Sequence, residues 1–261
     1  MKLFKNIFCY LILCLSLTFI CCNGAKYGEP VKAPDYLLSS FNNFWNYWNE
    51  DVKLSRDFTA FDENEKTISK DIFLERLSIG GYLPLRLKSN DLSDYYKLYK
   101  LNDQVNENIA TTIQTCVNIR IQNNKMIGKP LPGFNFTDLI GKLYNEETCK
   151  GKIVVLNFWF IQCTSCVAEM PALNKLVNLY KNRNDIVFTG LAADSPDKLK
   201  TFLEKTAFNY AIVPDMQNYL TDTLHINSYP TQVIINKKGM VVKVPEDYKE
   251  LEIELRKEAT N

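Results

Sequence analysis

The chain has 261 residues, 46% of them hydrophobic and 23% charged, an ordinary globular composition with enough apolar sequence for one large core or two small ones. Lys and Arg total 31 against 30 Asp and Glu. Nothing in that balance points to nucleic acid or to an acidic surface as partner.

Lys2 and Lys5 precede an apolar run from Ile7 to Cys22, the charged and hydrophobic regions of a secretory leader. The run is short against the roughly 20 apolar residues of a membrane span, so a cleaved leader over residues 1–25 is the expectation. An uncleaved anchor and a lipid anchor on Cys21 or Cys22 stand as alternatives, although Phe19, Ile20 and Cys21 poorly match the small residues that precede an acylated cysteine.

Residues 26–127 read as a mainly helical N-terminal domain. Tyr36, Leu37, Phe41, Phe44, Trp45 and Trp48 recur at three- and four-residue spacings that place them on one packed face. A second helix fits Lys70 to Ile79, with Ser69 as its cap and Gly80-Gly81 as its stop. Leu98, Leu101, Val105, Ile109, Ile113 and Cys116 trace an apolar stripe on a long helix from near Asp91, which makes Cys116 a buried small hydrophobe.

At Gly128-Lys-Pro-Leu-Pro-Gly133 the pattern changes, and a second domain over 128–261 is predicted. Phe134-Asn-Phe136 and Lys142-Leu-Tyr144 flank a turn and form a hairpin. Ile153 to Phe160 is a continuous β-branched and aromatic run, as a central strand buried on both faces requires. A helix follows, then a strand at Ile186–Ala192, a helix from Pro196 capped by Ser195, a short strand at Tyr210–Val213 and a helix from about Asp215 to Leu224. Thr231–Ile235 and Met240–Val244 make an antiparallel hairpin across Asn236-Lys-Lys-Gly239, and a helix over Glu246–Lys257 closes the chain. Such alternation means an α/β domain, a central mixed sheet flanked by helices.

Of the eight cysteines, Cys9, Cys14, Cys21 and Cys22 lie in the leader, leaving Cys116, Cys149, Cys163 and Cys166. Cys163-Thr-Ser-Cys166 follows the buried strand and opens the next helix. There the free N–H groups and the positive end of the helix dipole favour a thiolate. Cys163 is the expected nucleophile and Cys166, one turn on, the resolving thiol. Glu169 lies three residues further on the same face, placed to exchange a proton with Cys166; as an anion it would also oppose a thiolate. Pro171, further along the same helix, predicts a kink.

Together these residues resemble the TlpA/ResA-like thioredoxin-fold thiol-disulfide oxidoreductases of the bacterial envelope. The resemblance covers Gly151 to Val244. It is carried by Lys150-Gly-Lys152 leading into Val155-Leu-Asn-Phe-Trp159, by Cys163 and Cys166, Glu169-Met-Pro171, Asp194 and Tyr229-Pro230-Thr231. It implies a thioredoxin fold and a cis proline at Pro230, with Tyr229, Pro230 and Thr231 contacting the substrate. It also places Asn157 where thioredoxin has a buried aspartate. The implied partners are disulfide-containing envelope proteins and a membrane electron donor, with no cofactor, and the implied direction is reduction. Ser165, Gln162 and Phe160 depart from the residues usual in the family, which bears on the redox potential.

Other classes fit less well. Structural zinc wants four ligands, and the chain has no second close cysteine pair and a single histidine, His225. A peroxidase of the peroxiredoxin type has threonine three residues before its cysteine, where this chain has Phe160. A non-enzymatic binding module of thioredoxin fold, its cysteines a stable disulfide, is the alternative from another class. A disulfide between Cys116 and Cys149 stands beside separate free thiols as a further open choice.

Overall fold

The computed structural model describes residues 26–260. The expected leader over 1–25, with its anchoring alternatives, lies outside the described residues.

The N-terminal unit is not mainly helical. It is built on a five-stranded sheet of order β1-β4-β5-β2-β3, formed by β1 (Tyr27–Pro30), β2 (Phe58–Phe61), β3 (Thr67–Ile68), β4 (Tyr82–Ser89) and β5 (Asp94–Lys100). Four helices accompany it: α1 (Pro34–Leu38), α2 (Phe41–Asp51), α3 (Lys70–Ile79) and α4 (Glu107–Asn124). The long helix expected from near Asp91 is therefore two elements, a strand and then α4. In β5 the buried Tyr96 and Leu98 alternate as a strand requires. The three- and four-residue periodicity becomes helical only from Ile109 through Ile113 to Val117.

β4 had no counterpart in the sequence reading. Leu83, Leu85 and Leu87 are buried on alternate positions, but Pro84 interrupts the run and argues against a central strand. The proline is tolerated because β1 pairs only with the far end of β4, at Leu87 and Ser89. The buried Tyr47 hydroxyl serves this edge, donating to the Pro84 carbonyl at 2.7 Å and accepting from the Arg86 N–H at 2.7 Å. α3 has the predicted bounds. Ser69 Oγ accepts from the Ile72 N–H, and Gly80 ends the helix at φ 100°, a conformation that favours glycine. The first predicted helix is split at Ser39-Ser40, where Ser40 Oγ caps α2 by accepting from the Asn43 N–H.

The C-terminal unit has a second five-stranded sheet, of order β10-β9-β8-β11-β12. Its centre is β8 (Ile153–Trp159), every residue of which is buried. β8 runs parallel to β9 (Ile186–Ala192) and antiparallel to β11 (Thr231–Ile235). β10 (Ala211–Val213) adds parallel to β9, and β12 (Val241–Lys243) adds antiparallel to β11. Ile153, Val155 and Trp159 face a core shared with α5 (Thr164–Leu179), α6 (Pro196–Leu203) and α7 (Tyr248–Thr260). Val154, Leu156 and Phe158 face a second core. It includes Phe136 and Tyr144 of the hairpin β6 (Asn135–Thr137) and β7 (Leu143–Asn145). This is a thioredoxin fold, a mixed sheet with helices on its faces.

Three details differ from the sequence reading. The helix expected over 215–224 is shorter and covers 217–223, mostly as a π-helix at Tyr219–Thr223. Ser195 occupies the cap position of α6 without a side-chain hydrogen bond. The 128–133 segment is held along the outer edge of β12, where Gly128 N–H donates to Val241 O and Val241 N–H to Lys129 O, covering an otherwise open strand edge.

The two sheets are joined through polar side chains. Arg120 on α4, buried, donates to the Val244 carbonyl at 2.7 Å and pairs with Glu246 at 3.1 Å. From the other side, the Ser55 hydroxyl donates to Glu250, whose carboxylate also meets Lys243 at 3.0 Å. Burial pushes the Glu250 carboxyl up, but Ser55, the Glu246 N–H and Lys243 outweigh it and hold the group below the ordinary glutamate value.

Candidate active site

The Phe160–Gln162 segment carries the chain from the end of β8 into α5. Asp194, just past β9, accepts a 2.7 Å hydrogen bond from the Ile161 N–H, which fixes that segment against the sheet. Cys163 then occupies the cap position of α5. Its sulfur accepts from the Cys166 N–H at 3.2 Å and lies 3.4 Å from the Ser165 hydroxyl. The two sulfurs are joined as a disulfide, with Cα atoms 5.2 Å apart. Cys163 is 6% exposed and Cys166 1%, so Cys163 is the more accessible of two nearly buried residues. α5 runs unbroken through Pro171.

Glu169, half-buried one turn beyond Cys166, meets a residue the sequence reading passed over. Gln232 on β11 donates to Glu169 Oε2 at 2.6 Å, and the same amide nitrogen lies 3.3 Å from Asn157 Oδ1. Gln232 and Asn157 are direct cross-strand partners, and both are buried. Burial pushes the Glu169 carboxyl up, partly offset by the Gln232 hydrogen bond, which favours the anion. The only hint in the sequence was a polar residue at the second position of an otherwise apolar strand, Thr231-Gln-Val-Ile-Ile235.

On the other side of the dithiol, the Tyr229–Pro230 peptide bond is cis. The Tyr229 ring packs edge-on to Phe160 at 5.3 Å, and Tyr229 borders the core cluster that holds Cys163 and Cys166. Thr231 Oγ donates to Ser228 O at 2.7 Å, tightening the turn before β11. Residues 227–229 precede β11, and among the described residues their N–H groups donate no backbone hydrogen bond.

The site thus gathers Cys163, Cys166 and Glu169 on one helix, with Tyr229, Pro230 and Thr231 on the adjoining turn. Cys116 and Cys149 are free thiols, so no disulfide joins them. Cys116 is not the buried core residue expected. It is partly exposed on α4, and the buried stripe of that helix passes through Ile109, Ile113, Val117 and Arg120 instead.

Comparison with known proteins agrees with this geometry. The model of the AhpC/TSA family matches residues 127–244. Thiol-disulfide oxidoreductase ResA of Bacillus anthracis is 36% identical over 118 residues, covering 45% of this chain and 68% of the relative. Thioredoxin-like protein YneN of Bacillus subtilis is 32% identical over 117 residues, covering 44% of this chain and 68% of the relative. Among solved structures, the thioredoxin domain of a thiol-disulfide oxidoreductase from Bacteroides vulgatus superposes with a TM-score of 0.44 at 24% identity, covering 50% of this chain and 96% of that one. The aligned stretch holds the central strand, the dithiol helix and the cis-proline turn, and through it this chain belongs to the ResA-like family of thioredoxin-fold thiol-disulfide oxidoreductases.

Proposed function

We propose that Cys163 and Cys166 are the redox pair of this oxidoreductase, that it works outside the cytoplasm, and that it reduces disulfides in other proteins. The observation that carries the reading is the position of Cys163. It caps α5, is bonded to Cys166 one turn away, and belongs to the core cluster against which Tyr229, the residue before the cis Pro230, packs.

In the reduced protein the Cys163 thiolate attacks one sulfur of a partner disulfide. A mixed disulfide forms and the partner's other sulfur leaves as a thiolate, which takes up a proton. The Cys166 thiolate then attacks Cys163 Sγ, closing the Cys163–Cys166 disulfide and releasing the partner's second thiolate. Two electrons pass from this chain to the partner, and an external dithiol donor must return them. Glu169, whose carboxyl burial pushes up, is when ionised a stronger base than an ordinary glutamate and is placed to take the proton of Cys166 as that thiol becomes a nucleophile.

The reductive direction is supported by the surroundings of the sulfurs. A low potential follows when the reduced, thiolate-bearing form is poorly stabilised. Here both cysteines are nearly buried, which disfavours a thiolate and opposes the helix dipole. The location rests on the charged and apolar pattern of residues 2–22, and an oxidising compartment supplies the disulfides to be reduced.

The test is a trap. With Cys166→Ser the second attack is lost, so the reduced variant mixed with a disulfide-bearing protein is expected to accumulate a mixed disulfide through Cys163. Cys163→Ser is expected to form none. Equal trapping through Cys116 or Cys149 would contradict the assignment.

A further inference from the structure

A cleft of about 410 Å³ lies where the N-terminal unit meets the cis-proline turn. One wall is made by α2 and α4, through Trp48, Asn49, Cys116 and Ile119, and the other by Ser228 and Pro230. From these observations we infer that this cleft is a second substrate subsite, which holds the polypeptide segment flanking the partner's reacting cysteine. The inference rests on the proposed exchange at Cys163 and goes beyond it, because it makes the N-terminal unit part of substrate recognition.

The first argument is continuity. Tyr229 packs on Phe160, next to the dithiol, while Ser228 and Pro230, its neighbours in the chain, line the cleft. An extended chain that pairs with residues 227–229 therefore has Phe160 and the dithiol helix toward Tyr229 and the cleft toward Ser228 and Pro230. In such a strand successive side chains alternate sides and advance about 3.3 Å per residue, so residues next to the partner's cysteine are carried into the cleft.

The second argument is charge. The ionic groups at the cleft are matched in sign, Lys53 with Asp247 at 3.1 Å and Arg120 with Glu246 at 3.1 Å. A free anion or a metal would have to compete with those partners. A neutral peptide does not, and the mixture of apolar side chains (Trp48, Ile119, Pro230) with amide and hydroxyl groups (Asn49, Ser228, Thr231) suits backbone amides and small apolar side chains.

The third argument is fixity. The wall is held by Arg120, buried and bonded both to Val244 O and to Glu246. The cleft is thus preformed, which lowers the ordering cost of binding.

Two variants that fill the cleft from its α2–α4 wall, Cys116→Trp and Asn49→Trp, test this. Each is assayed in the whole chain with two oxidants, ribonuclease with scrambled disulfides and the small aromatic disulfide dithionitrobenzoate. The ratio of kcat/KM for the protein substrate to that for the small one is expected to fall at least about tenfold. An unchanged ratio, whether both rates hold or both fall, overturns the subsite. A second measurement keeps the native cleft. In the Cys166→Ser chain, a mixed disulfide formed with a cystine-bridged peptide is expected to slow alkylation of Cys116, mapped by mass, and unslowed alkylation overturns the subsite. Should the unmodified chain act on neither substrate, the exchange reading of Cys163 fails instead.

Discussion

Gln232 and Glu169 tie the sheet to the reactive helix: the Gln232 amide donates a 2.6 Å hydrogen bond to the Glu169 carboxyl, and the cross-strand partner Asn157 accepts from the same nitrogen at 3.3 Å. Burial raises the carboxyl, and the amide donor favours its anion. Gln232→Leu removes the donor and leaves burial unopposed, so Glu169 is expected to ionise at higher pH. In the pH profile of disulfide exchange, the limb that depends on Glu169 should move upward in Gln232→Leu and disappear in Glu169→Gln. A Gln232→Leu profile that overlays the unmodified one contradicts the coupling.

The same carboxyl predicts a stability change with a definite sign. Its folded-state value is raised, so the stabilisation it contributes is complete below the unfolded value of about 4.3. That contribution is lost as pH rises through the folded value. Glu169→Gln carries no such titration. Urea unfolding of the two proteins is expected to show the unmodified chain losing stability relative to Glu169→Gln as pH rises through that window. A difference that is constant with pH contradicts the burial of Glu169.

Gly190 sits opposite Asn157 on β9. A Cβ there would lie 3.0 Å from Trp159 Nε1, 3.2 Å from Ile212 Cδ1 and 3.2 Å from Phe208 Cε1. The neighbours are closely packed rings and a strand side chain, so Gly190→Ala is expected to destabilise by about 1–3 kcal/mol through overpacking. Thermal unfolding measures it, and an unchanged midpoint would show that this core yields.

Arg120→Ala strips the Val244 carbonyl of its donor and removes the ion-pair partner of Glu246, which keeps the Ser55 N–H. Leaving a buried acceptor unpaired costs about 1–3 kcal/mol, and breaking the ion pair adds to it. A loss of about 2–4 kcal/mol in urea unfolding is expected. Under limited proteolysis the 26–127 segment should be the first to open. Loss below about 0.5 kcal/mol, the range of ordinary surface substitutions, would mean the two units are held by other contacts.

Much of the C-terminal unit was legible because its signals are local. Ile153–Trp159 is a run that only a strand buried on both faces explains, and Cys163 and Cys166 are three residues apart at the start of one helix. The N-terminal unit is less legible, for equally physical reasons. Pro84 masks a strand whose proline is tolerated only because β1 stops short of it. Leu98 and Leu101 happen to continue the spacing of α4 backwards into β5. Gln232 was passed over because its partners Asn157 and Glu169 lie 75 and 63 residues away in sequence. The antiparallel pairing of β11 with β8 brings Asn157 to Gln232, and the packing of α5 on the sheet brings Glu169.

The most direct test of the central claim is the equilibrium reduction potential of the Cys163–Cys166 couple, titrated against a dithiol buffer with Cys163→Ser as control. A reversible two-electron couple near thioredoxin's roughly −270 mV or below, absent from the control, is the predicted result. A value near the roughly −120 mV of a strong oxidant, or no reversible couple at all, would contradict a reductase acting through this pair.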